Sequence, residues 1–251
     1  MSNLALRPIH YASVSGGKDS LYMLKVIASN PKKYPLDMIV HFSLEIDYPF
    51  VKKSIMAAKM AADKMGVVFK VIKPRKSFEE LYEKYGFPKR TARWCNNLYK
   101  LDCKKQLHDW IKSQKCRPVA YIGFCYDEVK RFKYNVGSWN PEENQDVCYP
   151  LAEEGITEDS IRFWANYEFP VFDDYYKVFK RQGCMMCPNS TMLELAYVKL
   201  VHTGAFIHFG KMVQETEKKF GKVYNHEWEK LNVILDKKWV PKLKEILDRS
   251  V

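Results

Sequence analysis

Apolar positions in the first half of the chain follow two alternating rhythms. Short apolar runs at Ile9–Val14, Met38–Leu44, Val67–Ile72, Val119–Phe124 and, more briefly, Val147–Leu151 predict strands. Between them the spacing turns helical. A helix is expected over Asp19–Ala28, and another through Val51, Ile55, Ala58, Ala62 and Met65 that Gly66 closes. Ser77 is a candidate N-cap for a helix running to Tyr85 before Gly86, and after a basic, irregular stretch from Phe87 to Arg93 a longer helix covers Asn96–Ser113. Strands alternating with helices predict an α/β fold: a doubly wound, mostly parallel five-stranded sheet of Rossmann-like type covered on both faces. Ligands of such sheets bind beyond the carboxyl ends of the strands. The turn Ser15–Ser20 and the segment Cys125–Arg131 both lie there, so they are candidates to face one cleft.

From Thr157 the character changes. A helix over Thr157–Tyr167 leads into an aromatic and basic loop, Phe169–Pro188, and helical patterns continue to the end with Trp228 and Trp239 as expected packing anchors. With no repeat and no flexible linker, the economical division is a nucleotide-binding α/β domain over 1–155 and, over 156–251, a Cys-x-x-Cys loop with a helical C-terminal extension packed on it.

Composition narrows the class. At 251 residues, 47% hydrophobic and 28% charged, the chain can bury a sizeable core. No run is long enough to span a membrane, and Met1–His10 lacks a charged start followed by an apolar stretch, so the expected location is cytoplasmic, with no membrane partner. Seven cysteines, an odd number without a secretion signal, argue against a disulfide framework and leave metal binding, catalysis or burial. A net charge of +11 suits a polyanionic partner: nucleotide phosphates first, a nucleic acid second. The C-terminal lysines alternate with Glu215, Glu217, Glu227, Glu229 and Glu245, which reads as a balanced solvated face.

Chemistry concentrates first in Ser15-Gly16-Gly17-Lys18-Asp19-Ser20, between a strand and a helix. Two glycines let the backbone approach a phosphate, and amides at the helix start point at the anion with the dipole in the favourable sense. Ser20 adds a hydroxyl, and Asp19 can hold the loop or a magnesium ion. The spacing fits neither the Walker loop nor a dinucleotide fingerprint. Two glycines alone would equally suit an ordinary tight turn; the whole string in this context favours the phosphate reading.

Ser-Gly-Gly-Lys-Asp-Ser after a first strand resembles the PP-loop of the adenine nucleotide α-hydrolase superfamily, whose fold is of the HUP type. Further segments resemble one branch, the phosphoadenosine phosphosulfate (PAPS) reductase family. They are Arg93–Lys100, Gly123–Arg131, Tyr149-Pro150-Leu151 with Thr157-Glu158-Asp159, and Gly183-Cys184-Met185-Met186-Cys187-Pro188, in family order over roughly residues 9–190. The resemblance implies binding of ATP, or of an adenylyl-sulfate nucleotide, with Mg2+. ATP-using members transfer AMP to a substrate oxygen and release pyrophosphate. On that resemblance Ser15, Gly16, Gly17, Lys18, Asp19, Ser20, Arg93, Lys100 and Gly123 are expected to bind the nucleotide, and Lys18, Asp19, Asp127, Glu128 and Arg131 to serve catalysis. For each cation a solvated surface role stays open, and Asp127 or Glu128 could instead pair with Lys130 or Arg131.

The pair Cys184 and Cys187 has the spacing by which two thiolates converge on one metal. The resemblance points to Cys95 as a third ligand, because cluster-bearing relatives carry a Cys-Cys pair there; here Trp94 replaces the first of that pair. Either a 4Fe–4S cluster has three cysteines and an open iron, or Cys103 or another residue supplies a fourth ligand. Zinc and a metal-free cysteine pair are the alternatives. Cys103 reads more readily as helix core, and Cys116, Cys125 and Cys148 as small buried hydrophobes. The sulfite-forming reductases of the family carry a cysteine in a short tail motif, and this chain has none after Cys187. Cys125 also stands where the family usually has arginine. These departures favour an ATP-dependent, AMP-forming transferase for sulfur over the PAPS or adenylyl-sulfate reductase, an oxidoreductase, and over a non-catalytic nucleotide- or nucleic-acid-binding subunit of a modification complex. The partners implied are a sulfur or electron donor protein, a nucleic-acid or small-molecule acceptor and, compatibly, a second copy of the chain.

Overall fold

The apolar runs form five strands, and every pairing between them is parallel. The structure is a computed structural model and describes residues 6–168 and 172–248. The sheet runs β3 (Val68–Ile72), β2 (Met38–Phe42), β1 (Arg7–Ser13), β4 (Cys116–Tyr121), β5 (Val147–Cys148). Helices α1 (Lys18–Ser29) and α2 (Val51–Met65) link β1, β2 and β3, while α4 (Leu101–Ser113) leads into β4. Parallel crossovers are right-handed, so reversing the direction of winding after β3 places α4 on the opposite face from α1 and α2. The fold is therefore doubly wound, as the pattern predicts. Interior strands β1 and β2 are buried, whereas β3, at the edge, leaves Val68 and Val71 exposed.

The chain gathers into two compact units that interleave along the sequence. One takes the chain to Ser43, Pro49–Lys73 and Cys103–Asp173; the other takes Leu44–Tyr48, Pro74–Asp102 and the chain from Asp174 on. The first holds the sheet, α5 (Pro150–Glu153) and α6 (Glu158–Glu168). The second holds α3 (Phe78–Tyr85) and nearly all of α7 (Asp173–Val178), followed by α8 (Met192–Val201), α9 (Thr203–Phe220), α10 (Trp228–Ile234) and α11 (Val240–Asp248). In it Phe78, Phe87, Trp94, Tyr99 and Phe209 form an aromatic core, and Trp94 donates from Nε1 to Gly86 O at 3.0 Å. Among the described residues no helix is long and apolar enough to cross a membrane.

Several boundaries differ from the pattern, each for a local reason. β4 starts and stops three residues early, because its register against β1 pairs Cys116 with Arg7 and ends at Tyr121 with Ala12. The fifth strand closes after Cys148, since Pro150 fits the first position of a helix and begins α5. The expected helix from Asn96 opens instead with a wide π-helical turn, Cys95–Lys100, before α4 proper. Within the expected loop Phe169–Pro188, residues 169–171 lie outside the described residues, and Asp173–Val178 is helical. Trp228 is buried against Phe206, as an anchor should be, whereas the half-buried Trp239 carries Lys238 and Lys242 against its ring.

The sheet unit also contains an acid-sensitive pair. Tyr11 Oη lies 2.8 Å from His108 Nε2, a hydrogen bond whose donor is set by the tautomer of the ring. Burial, with Lys104 and Lys112 adding, holds His108 down at about 4. An unfolded histidine protonates near 6.5, so its contribution is complete above pH 6.5 and is lost as pH falls toward 4. Because the ring is partly solvated, about 1–2 kcal/mol is expected. His108→Gln should flatten the stability profile across that window in urea unfolding; an unchanged profile would remove the assignment.

Candidate active site

β1 and β4 are neighbours, yet the chain leaves them toward opposite sides of the sheet, β1 by way of α1 to β2 and β4 toward β5. That is the switch point at which open α/β sheets form a crevice. The loop after β1 occupies it. Gly16 has φ +87°, a left-handed backbone that side chains disfavour, and a Cβ there would lie 3.0 Å from Val51 Cγ1. Gly17 precedes α1, and no side chain caps that helix. The loop braces itself: Ser15 Oγ accepts from Gly17 N at 3.3 Å, and Ser20 Oγ donates to Gly17 O at 2.8 Å. Behind it, the buried His41 ring places Nδ1 2.9 Å from Val14 O. A glycine turn thus delivers the amino end of α1 to the carboxyl end of the central strand, in the Ser-Gly-Gly-Lys-Asp-Ser frame.

The turn has the geometry by which a helix start can receive a phosphate.

The segment after β4 closes on this loop. A Cβ on Gly123 would lie 3.1 Å from Asp19 O, so only glycine lets the two backbones approach without displacement. Lys18 is fully buried, its Nζ 2.6 Å from Asp19 Oδ1 and 2.8 Å from Glu158 Oε1; Arg162 reaches Glu158 from the far side at 3.2 Å. Burial raises the Asp19 pKa, with the Lys18 charge working against it. Asp19, Cys125 and Glu158 bring their ligand atoms within 4.8 Å of one another. The two carboxylates suit a hard cation such as Mg2+. The thiol does not, since burial and then the Asp19 and Glu158 charges push its pKa far up and keep it neutral. Asp127 Oδ1 accepts from Glu158 N at 3.3 Å, tying this segment to the start of α6. Glu128 accepts from Cys125 N and pairs with Arg131 at 2.8 Å, and Arg131 stacks over Phe124 at 3.7 Å.

Cys95, Cys184 and Cys187 all belong to the second unit, and their thiols influence one another electrostatically. The knuckle bearing the pair is pinned at successive backbone groups. Gly183 N donates to Tyr175 Oη at 3.0 Å, Met185 N to Ile46 O at 2.9 Å, and Tyr224 Oη donates to Met186 O at 2.7 Å. Cys95 opens the π-helical turn, where buried Tyr99 accepts from Glu45 N and donates to Glu45 Oε2. Burial pushes Cys184 up to about 12, with nearby Lys100 opposing and Asp47 reinforcing the shift; burial also raises Cys95, against which the Arg93 and Lys100 charges favour the thiolate. A preformed knuckle with a third thiol beside it fits a thiolate-bound metal group. Among the described residues, the metal-capable triad whose ligand atoms all lie within 4.8 Å of one another is the one around Asp19.

The other candidates are placed as follows. Arg93 and Lys100 are exposed and belong to the second unit, with Cys95. Cys103 lies in the first unit on the buried stripe of α4 with Leu107 and Ile111. Cys148 is buried in β5, and Cys116 is only half-buried. Sequence reasoning did not assign Glu158 or Cys125 to the site. Glu158 reads locally as an acidic residue opening a helix, and no spacing links it to a lysine 140 positions away.

No protein-family model matches the chain. It is 29% identical over 197 residues to an uncharacterized protein of Methanocaldococcus jannaschii, a stretch covering 77% of this chain and 45% of that protein. The chain thus spans about half the length of the curated relative it matches. Among solved structures it is similar to PAPS reductase from Candida auris in a phosphate complex (16% identity, TM-score 0.40, covering 63% of this chain and 72% of that one). It is also similar to the U34-tRNA thiolase NcsA from Methanococcus maripaludis with its 4Fe–4S cluster (16%, TM-score 0.43, 97% and 73%). A third similarity is to FMN adenylyltransferase from Candida glabrata (14%, TM-score 0.37, 76% and 60%).

Proposed function

We propose that the chain is a cytoplasmic PP-loop ATP pyrophosphatase of the PAPS reductase family that adenylates an acceptor, releasing pyrophosphate, as the activating step of sulfur transfer. The observation carrying this reading is the Gly16–Gly17 turn, which sets the uncapped start of α1 beside β4 with Asp19 and Glu158 in reach. In this reading the first-turn amides and the helix dipole hold the departing pyrophosphate. Asp19 and Glu158 would hold Mg2+, which would supply positive charge to the phosphoryl oxygens. Lys18 keeps the two carboxylates balanced before nucleotide arrives. Arg131, oriented by Phe124 and Glu128, offers a fixed cation to the nucleotide. Cys95, Cys184 and Cys187 would hold a 4Fe–4S cluster, whose chemistry is to carry activated sulfur. The acceptor is a nucleic acid or small molecule, and the net charge of +11 supports the former.

The test is anaerobic incubation with ATP and Mg2+, alone and with tRNA, other RNA or DNA, followed by nucleotide separation. Equimolar AMP and pyrophosphate are expected, stimulated by the true acceptor. ADP and phosphate instead would sink the proposal, and sulfite release from an adenylyl-sulfate nucleotide with a dithiol and no ATP would establish the reductase.

A further inference from the structure

Met186 sits between the two knuckle cysteines with φ +54°, one of two non-glycine residues with positive φ among those described. A left-handed backbone costs a side-chain-bearing residue about 1–2 kcal/mol, so something must hold it there. Methionine gains nothing locally from that conformation, unlike asparagine or aspartate. Its side chain is fully buried, and its carbonyl accepts the hydroxyl of Tyr224 at 2.7 Å. Tyr224 is itself buried in the connection between α9 and α10 and packs against Trp228. The hydroxyl is thus delivered by a buried ring to the one strained peptide of the knuckle. A left-handed residue within a Cys-x-x-Cys turn folds the chain back on itself between the two thiols. An extended residue there would carry the second thiol away from the first.

We propose that Tyr224 is a positioning residue for the cysteine site: by holding Met186 left-handed, it keeps Cys184 and Cys187 converged on a thiolate-bound iron–sulfur group before the metal arrives. This rests on the reading of Cys95, Cys184 and Cys187 as metal ligands. Outer partners that orient ligands typically contribute ten- to a hundredfold in metal affinity. Tyr224→Phe keeps the ring and its packing and removes only the hydroxyl, leaving the Met186 carbonyl without its donor.

The experiment loads the unaltered protein and the variant with ferrous iron and sulfide anaerobically, then follows iron loss to a chelator and the cluster's visible spectrum. Thermal unfolding is recorded in parallel on the unloaded proteins. Tyr82→Phe is the matched control, since its hydroxyl bonds Glu215 rather than the knuckle. Tyr224→Phe is expected to release iron about tenfold faster with an altered spectrum, at a temperature where it is fully folded. Tyr82→Phe should behave as the unaltered protein does. Equal iron release and an identical spectrum in Tyr224→Phe, whatever its melting temperature, would overturn the positioning role alone. An unaltered protein that takes up no cluster would overturn the metal reading and this inference with it.

Discussion

Replacing Asp19 by asparagine is expected to lower ATP-dependent AMP release by about a hundred- to a thousandfold, the range found when one charge-stabilising group is removed from a preorganised site. Asp19 is a half-buried carboxylate in the first turn of α1, 2.6 Å from the Lys18 ammonium and in reach of Glu158. An amide keeps its shape but gives up the charge that would grip Mg2+. Burial already raises the Asp19 pKa, so a neutral side chain is well tolerated there and the fold should persist. Glu158→Gln should act in the same direction but more weakly, because Glu158 also answers to Arg162. The decisive measurement is AMP and pyrophosphate release by the two variants, with circular dichroism as a folding control. Turnover in Asp19→Asn matching the unaltered protein would mean that nucleotide chemistry happens elsewhere.

Lys18→Met should have the largest effect on stability, about 3 kcal/mol at neutral pH, the low end of the cost of breaking a buried ion pair. Lys18 is fully buried, whereas Asp19 and Glu158 each keep about a quarter of their side-chain exposure, which is why the low end applies. Without the ammonium, Asp19 faces Glu158 and Glu128 with burial still raising its pKa. The sign follows from linkage. A carboxyl whose folded pKa lies above its unfolded value destabilises the fold above that folded pKa, and the penalty fades as pH falls and the group protonates. The variant should therefore regain stability as pH falls from neutral through the raised Asp19 pKa, and Mg2+ should stabilise it more than the unaltered protein by occupying the vacated charge. Urea unfolding at two pH values, with and without Mg2+, reads both effects. An unfolding midpoint indifferent to the substitution would show that the buried pair is not structural.

The sheet was legible because its signal is local. Runs such as Ile9–Val14 and Met38–Leu44 are buried on both faces, so their composition alone announces parallel strands, and Gly66 and Gly86 end helices where helical spacing stops. Boundaries set by pairing were not legible: β4 ends opposite Ala12 near the end of β1, which the β4 sequence does not encode. The left-handed Met186 left no trace either, since methionine does not mark positive φ and the tyrosine holding it lies 38 positions away.

The sequence by itself determined the alternation of strands and helices, the glycine turn at the first strand's end and the Cys-x-x-Cys spacing. Each of these is a relation among residues within a few positions of one another, where backbone sterics and periodicity act. Only the tertiary structure decided that Lys18 spends its charge on Asp19 and Glu158, that Cys125 belongs to that group, and that Trp94 is core. Those outcomes depend on burial and on charges brought together from distant segments, and no local pattern carries the dielectric environment that decides them.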